Sequence, residues 1–115
     1  MNLHEAINNI LDGHIGEENA ISWADLCWQV NQQISPDDVN SNELRGIIHD
    51  LRQGDSLICS SQRGYYRPKD YGEVKDFTDR LRQPSRDQLL TARIQRDAAR
   101  RHFAGQLDMF PKGNG

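Results

Sequence analysis

The sequence QLDMF at residues 106–110 combines an amide, a carboxylate and three large apolar side chains close to the end of the chain. In an extended peptide, the amide of Gln106 can make paired hydrogen bonds while the apolar side chains fill adjacent pockets. Gly105 precedes this segment and Pro111 follows it, which is typical of a flexible tail. The pattern therefore predicts a peptide that contributes its apolar side chains to a groove on another protein.

The remainder of the sequence contains no pattern typical of an enzyme. We find no carboxylate pair, catalytic triad, metal-ligand cluster or phosphate-binding loop. Cys27 and Cys59 lie 32 positions apart without a CxxC or Cys/His cluster, which argues against a zinc site and favours two buried thiols. We therefore expect a non-enzymatic protein that uses no cofactor or metal.

The charges are distributed unevenly along the 115 residues, whose net charge is −3. Residues 1–79 hold six Lys or Arg against 14 Asp or Glu, whereas residues 80–115 hold eight against three. The basic part is suited to meet a polyanion, although arginine-rich helices are also often merely solvated. Because no apolar run approaches the roughly 20 residues that span a bilayer and no signal pattern opens the chain, we expect a cytoplasmic protein without a membrane partner.

The elements that must position these groups can be read from the spacing of the apolar residues. Helical stripes occupy residues 3–11, 23–34, 44–51, 71–81 and 86–102. Residues 57–60 and 65–67 are strand-like and flank Gly64, which predicts a β-hairpin directly after the third helix. The predicted fold is mainly α with a small β-hairpin.

Three segments follow from this pattern: a folded domain at residues 1–70, a charged helical arm at 71–103, and the flexible tail at 104–115. The last helix of the arm has only a narrow apolar stripe and carries arginines around it. We therefore expect the arm to project from the domain or to pair with a second copy, which would give a homodimer.

The order of three helices and a hairpin resembles that of winged-helix domains, a variant of the helix-turn-helix plan. The segment LRQGDSLICSSQRGYYRPKD, residues 51–70, is similar to the family's join of recognition helix and wing, and the resemblance covers about residues 1–70. It implies that the third helix enters the major groove of double-stranded DNA, where Arg can fork to guanine and Asn to adenine. The residues it implies as DNA contacts are Asn42, Arg45, His49 and Arg52 on the helix and Arg63 at the tip of the wing.

Two features leave a different role for this domain open. Glu43 and Asp50 lie on the same helix as the expected readers, within an acidic part of the chain. Winged helices also serve as protein-interaction modules. Gly46 fits a helix that approaches another backbone closely, either that of a partner or that of a neighbouring helix.

The tail resembles the bacterial sliding-clamp-binding motif, whose usual form is Gln, Leu, Ser or Asp, Leu or Met, then Phe. All five positions agree. The resemblance implies docking into a hydrophobic cleft of the clamp, the β subunit of the bacterial replicative DNA polymerase, and a chance match is the alternative. The residues that would bind the clamp are Gln106, Leu107, Asp108, Met109 and Phe110.

Together these resemblances are typical of small accessory proteins of phage, prophage or plasmid type. Our leading hypothesis is a non-enzymatic, DNA-associated factor that joins the host replication clamp through its tail, with the arm adding phosphate contacts or dimerisation. One alternative is a clamp inhibitor or adaptor that does not read DNA. Another is a small transcriptional regulator whose tail match is accidental.

Overall fold

The computed structural model describes residues 2–34 and 40–104. Within these ranges the chain is mainly helical with one short antiparallel hairpin, which confirms the predicted fold class. The elements are α1 (Leu3–Leu11), a 3-10 turn (Glu17–Asn19), α2 (Trp23–Gln33), α3 (Ser41–Gln53), β1 (Cys59–Ser61), β2 (Gly64–Tyr66), α4 (Tyr71–Asp79) and α5 (Arg86–His102).

Polar caps fix where the helices begin. The Ser22 hydroxyl accepts from the backbone N–H of Asp25 at 3.1 Å, and the Asn40 side chain accepts from that of Glu43 at 2.8 Å. Ser85 and Gln88 form a reciprocal capping box at the start of α5. Each cap satisfies an N–H group that has no partner inside its own helix, so these starts could be read from the sequence.

The first hydrophobic core lies between α1, α2 and α3. Its largest side chains are fully or almost fully buried, and each stabilises the fold by about 1.5–3 kcal/mol relative to an exposed position. The core residues are Ile7, Ile10, Leu11, Ile21, Leu26, Val30, Leu44, Ile48 and Ile58. Helix α3 contributes only Leu44 and Ile48 to this list, so the opposite face of α3 does not pack in the first core.

Two isolated bridges join the segment before α2 to the second half of the hairpin, Ile15 to Arg67 and Ile21 to Tyr65. β1 pairs with β2 so that Ser61 faces Gly64, and Ile21 exchanges two backbone hydrogen bonds of 2.8 Å with Tyr65. Gly64 has a φ of +130°, and a Cβ there would lie 2.0 Å from the carbonyl oxygen of Ile21. The glycine is therefore required by the close approach of this third segment as well as by the turn.

Arg67 ties the end of the hairpin to the end of α1. Its Nε donates to the Asp12 carboxylate at 2.6 Å, one Nη donates to the Asn8 side chain at 2.8 Å, and the other donates to the Leu57 carbonyl at 2.9 Å. A guanidinium suits this place because its planar set of donors can serve several acceptors at once.

A second core joins the hairpin to α4 and α5. It contains residues from all three elements: Leu57, Cys59, Tyr66, Val74, Ala98, Ala99 and Phe103. The prediction that the arm projects from the domain is therefore wrong, because α4 packs back onto β1 and α5 packs onto α3. Pairing of the arm with a second copy stays a prediction.

Gln95 is the polar contact that holds α5 in this position. It is fully buried, and its Oε1 accepts from the backbone N–H of Ile58 at 3.1 Å. Its Nε2 donates to the carbonyls of Arg52 at 2.9 Å and Ser56 at 2.8 Å. One amide thus satisfies the Ile58 N–H and the Ser56 carbonyl and adds a second hydrogen bond to the Arg52 carbonyl, which also accepts from the Asp55 N–H at 3.4 Å.

We predict that Gln95→Leu lowers the free energy of unfolding by about 3 kcal/mol, because the buried N–H of Ile58 loses its acceptor. Urea unfolding followed by circular dichroism measures the change. Gln32→Leu, the same replacement at an exposed position of α2, should change the value by less than about 0.5 kcal/mol. Equal midpoints for the two variants would contradict the role of Gln95.

Candidate nucleic-acid interface

The outer face of α3 has two halves, and we call the second one, where α5 contacts His49 and Gln53, the covered half. Asn42, Arg45 and Gly46, which we call the open half, are exposed. No described atom outside the helix's own backbone lies within 4 Å of the place where a Gly46 Cβ would stand. Packing against a neighbouring helix therefore does not account for this glycine, and the helix is accessible there to the backbone of a partner.

Arg45 is held in place by an aromatic ring of α2. Its guanidinium carbon lies 4.7 Å from the centre of the Trp23 ring, and that ring lies 5.5 Å from the ring of Tyr65 in the hairpin. Stacking of this kind fixes the plane of the guanidinium and leaves the N–H groups at its edge able to donate. The arrangement can present Arg45 to a phosphate or a base edge with less loss of side-chain freedom.

His49 lies in the covered half of α3. Its Nε2 is 2.8 Å from the carboxylate of Asp87 in the first turn of α5, and its Nδ1 is 3.9 Å from that of Asp50. The imidazole remains about half exposed but already has a partner within the chain. The expected contact of His49 with DNA stays a prediction. Such a contact would compete with the hydrogen bond between His49 and Asp87.

The Arg52 side chain is held by contacts within the fold. Its Nε donates to the Ile58 carbonyl at 2.8 Å, and its guanidinium carbon lies 5.0 Å from the Phe77 ring and 5.8 Å from the Tyr65 ring. Burial lowers the pKa of this guanidinium from its ordinary value. These contacts leave Arg52 poorly placed to reach a base, although the helical period points it away from the first core.

Arg63 stands at the exposed tip of the hairpin, as the sequence predicts. It borders a shallow cleft with Lys69 and three carboxylates, those of Glu17, Glu18 and Glu73. The Glu73 carboxylate is hydrogen-bonded to the backbone, since its two oxygens accept from the N–H groups of Glu17 at 3.0 Å and Lys69 at 2.9 Å. The tip is therefore basic, but acidic groups flank it.

The two thiols offer no reactive centre. Burial raises the pKa of Cys59 to about 12 and also raises the pKa of Cys27 above its ordinary value. Both thiols are therefore protonated near neutral pH, and a thiol is a much weaker nucleophile than a thiolate. Among residues 2–34 and 40–104, no three His, Cys, Asp or Glu side chains are grouped so that they could hold a metal ion.

The predicted clamp-binding residues, Gln106, Leu107, Asp108, Met109 and Phe110, lie outside the described residues. The described chain ends just before them, with Phe103 buried in the second core and Ala104 exposed. Helix α5 is thus packed against the domain up to its last turn, and Ala104 after it lies at the surface of the domain.

Sequence reasoning missed Trp23 as the platform for Arg45 and placed it only in the core stripe of α2. The ring is in fact partly exposed and packs on the first core with one side. An Arg on one helix and a Trp on the next carry no sequence signal for stacking, because the contact depends on how α2 and α3 cross.

Comparisons of the chain with protein-family models, curated proteins and solved structures find no match. In the part of the chain that the structure describes, no helix is both long enough and apolar enough to cross a membrane. Any functional assignment therefore rests on the residues themselves.

Proposed function

We propose that this protein is a non-enzymatic, DNA-associated factor that binds the bacterial replication sliding clamp through residues 106–110. The observation that carries the proposal is the complete match of QLDMF to the clamp-binding motif, placed two residues after the last described residue, Ala104. A short peptide must be ordered when it binds, so its affinity is expected to be micromolar. A second attachment to DNA raises the effective concentration and makes such an affinity sufficient.

The order of the described elements supports a winged-helix domain as the DNA-contacting part. Helix α1 is followed by the bridge at Ile21, then by α2, α3 and the hairpin. In helix-turn-helix proteins, residues near the N-terminus of the recognition helix contact base edges. The open half of α3 is the N-terminal half, so Asn42 and Arg45 are the expected readers, with Arg63 on the backbone.

A second candidate function, a clamp inhibitor or adaptor without DNA contact, is favoured by the charges around this face. Glu43 and Asp50 are exposed on α3 itself, and carboxylates flank Arg63. Like charges weaken the attraction to phosphate, which dominates the affinity for DNA. Clamp binding without DNA binding would identify this function, whereas DNA binding without clamp binding would indicate a transcriptional regulator.

We predict that the full-length protein binds purified bacterial sliding clamp with a micromolar Kd, and that Gln106→Ala with Phe110→Ala weakens it at least about tenfold. The double variant removes both the amide and the terminal aromatic anchor. Isothermal titration calorimetry measures both constants, and Asn114→Ala, in the same tail but outside the motif, should match the wild type. Equal binding by the double variant, or no binding by the wild type, would remove the clamp assignment.

For the DNA contact, we predict that Gly46→Ala has opposite effects on stability and binding. The free energy of unfolding should rise by about 1 kcal/mol, because alanine is the better helix former and meets no described neighbour. Affinity for duplex DNA should fall, because the added methyl group stands on the open half of α3. Fluorescence anisotropy measures binding, and the gain in stability shows that any loss does not come from unfolding.

The same assay gives the salt dependence of binding. Arg45→Gln should lower the slope of log affinity against log salt by about 0.9, the value for one phosphate contact. Wild-type protein without salt-dependent DNA binding would favour the adaptor, whereas DNA binding that is unchanged in both Gly46→Ala and Arg45→Gln would contradict the contact at the open half of α3.

A further inference from the structure

The arginines of the basic part of the chain fall into two groups. Those in the second half of α5 are neutralised within the domain: Arg96 pairs with Asp79 at 2.6 Å, Arg100 with Asp97 at 3.0 Å, and Arg101 with Asp55 at 3.1 Å. These ion pairs neutralise much of the positive charge that the composition gives to the arm. A polyanion would have to displace them in order to bind there.

The arginines in the first half of α5 and just before it behave differently. Arg82, Arg86 and Arg93 are exposed, and no carboxylate of residues 2–34 or 40–104 forms an ion pair with them. Arg82 and Arg86 lie at the start of α5, where the positive end of the helix dipole adds to their charge, whereas Arg93 lies near the middle of the helix.

The start of α5 stands beside His49 of α3. Asp87 bonds His49, and four residues further along both helices Thr91 accepts from Gln53, so the two helices run side by side in the same direction. His49 is one helical turn after Arg45, the last charged residue of the open half. Arg86 adjoins Asp87 in sequence, and Arg82 lies in the loop that leads into α5.

We propose that Arg82 and Arg86 bind the phosphate backbone of duplex DNA. The groove of the same duplex receives the open half of α3. This inference rests on the proposed DNA contact. Because α5 lies against His49 and Gln53 in the second half of α3, DNA whose groove receives the first half brings its bordering backbone towards the start of α5. Unpaired guanidinium groups suit this contact, since they bind phosphate with paired hydrogen bonds and displace condensed counterions.

The test uses the full-length protein and duplex DNA across a salt series. Arg82→Gln with Arg86→Gln should lower the slope of log affinity against log salt by about 1.8, with a loss of affinity of roughly tenfold or more at low salt. Arg93→Gln is the matched control, because this arginine is also exposed and unpaired but lies about 10 Å further along α5 than Arg86. It should leave the slope nearly unchanged.

The outcomes separate this inference from the function on which it rests. Absence of DNA binding by the wild type would overturn both. Binding that depends on Arg45 but is unchanged in the Arg82 and Arg86 variant would overturn only the inference, and so would an equal loss in Arg93→Gln. Urea midpoints equal to that of the wild type should accompany the Arg82 and Arg86 variant and Arg93→Gln, since none of these three side chains has an ion-pair partner among the described residues.

Discussion

The fold depends on the buried amide of Gln95, which binds three backbone groups between α3 and β1. An unsatisfied backbone group in a core costs roughly 1–3 kcal/mol, so the connection and α5 stabilise each other. This contact acts together with the burial of Ala98, Ala99 and Phe103 to hold α5 against the domain. With it, the arm becomes part of the domain, and residues from the hairpin, α4 and α5 form a shared second core.

The position of α5 then decides which residues remain available to a partner. It lies against the second half of α3, where Asp87 bonds His49 and Gln95 bonds the Arg52 carbonyl, while the Arg52 guanidinium carbon lies 5.0 Å from the Phe77 ring of α4. It leaves the first half of α3 open, with Arg45 stacked on Trp23. The same placement brings Arg101 to the carboxylate of Asp55 in the body, and Arg96 pairs with Asp79 of α4, so the positive charge of α5 is partly cancelled by both neighbours.

Local signals in the sequence predicted the helices well, because caps and apolar stripes act within one or two turns. The bounds of α5 are those predicted, whereas the hairpin strands are shifted by one or two residues because backbone pairing sets their ends. The helical period pointed Arg52 and His49 outward, but it contains no information about a later helix that covers them. Gln95 was missed for a related reason: a polar residue on a charged helix is read as solvated unless its backbone partners are known. The clamp motif lies outside the described residues, so the sequence alone supports it.

The central claim is that the folded face and the tail act together, one on DNA and one on the clamp. Surface plasmon resonance at a fixed salt concentration can compare the Kd of the full-length protein for free sliding clamp with its Kd for clamp assembled on duplex DNA. Simultaneous contact predicts binding to the DNA-loaded clamp that is tighter by at least about tenfold, because the second contact forms at a high effective concentration. Equal affinity for the two forms of the clamp would contradict the account.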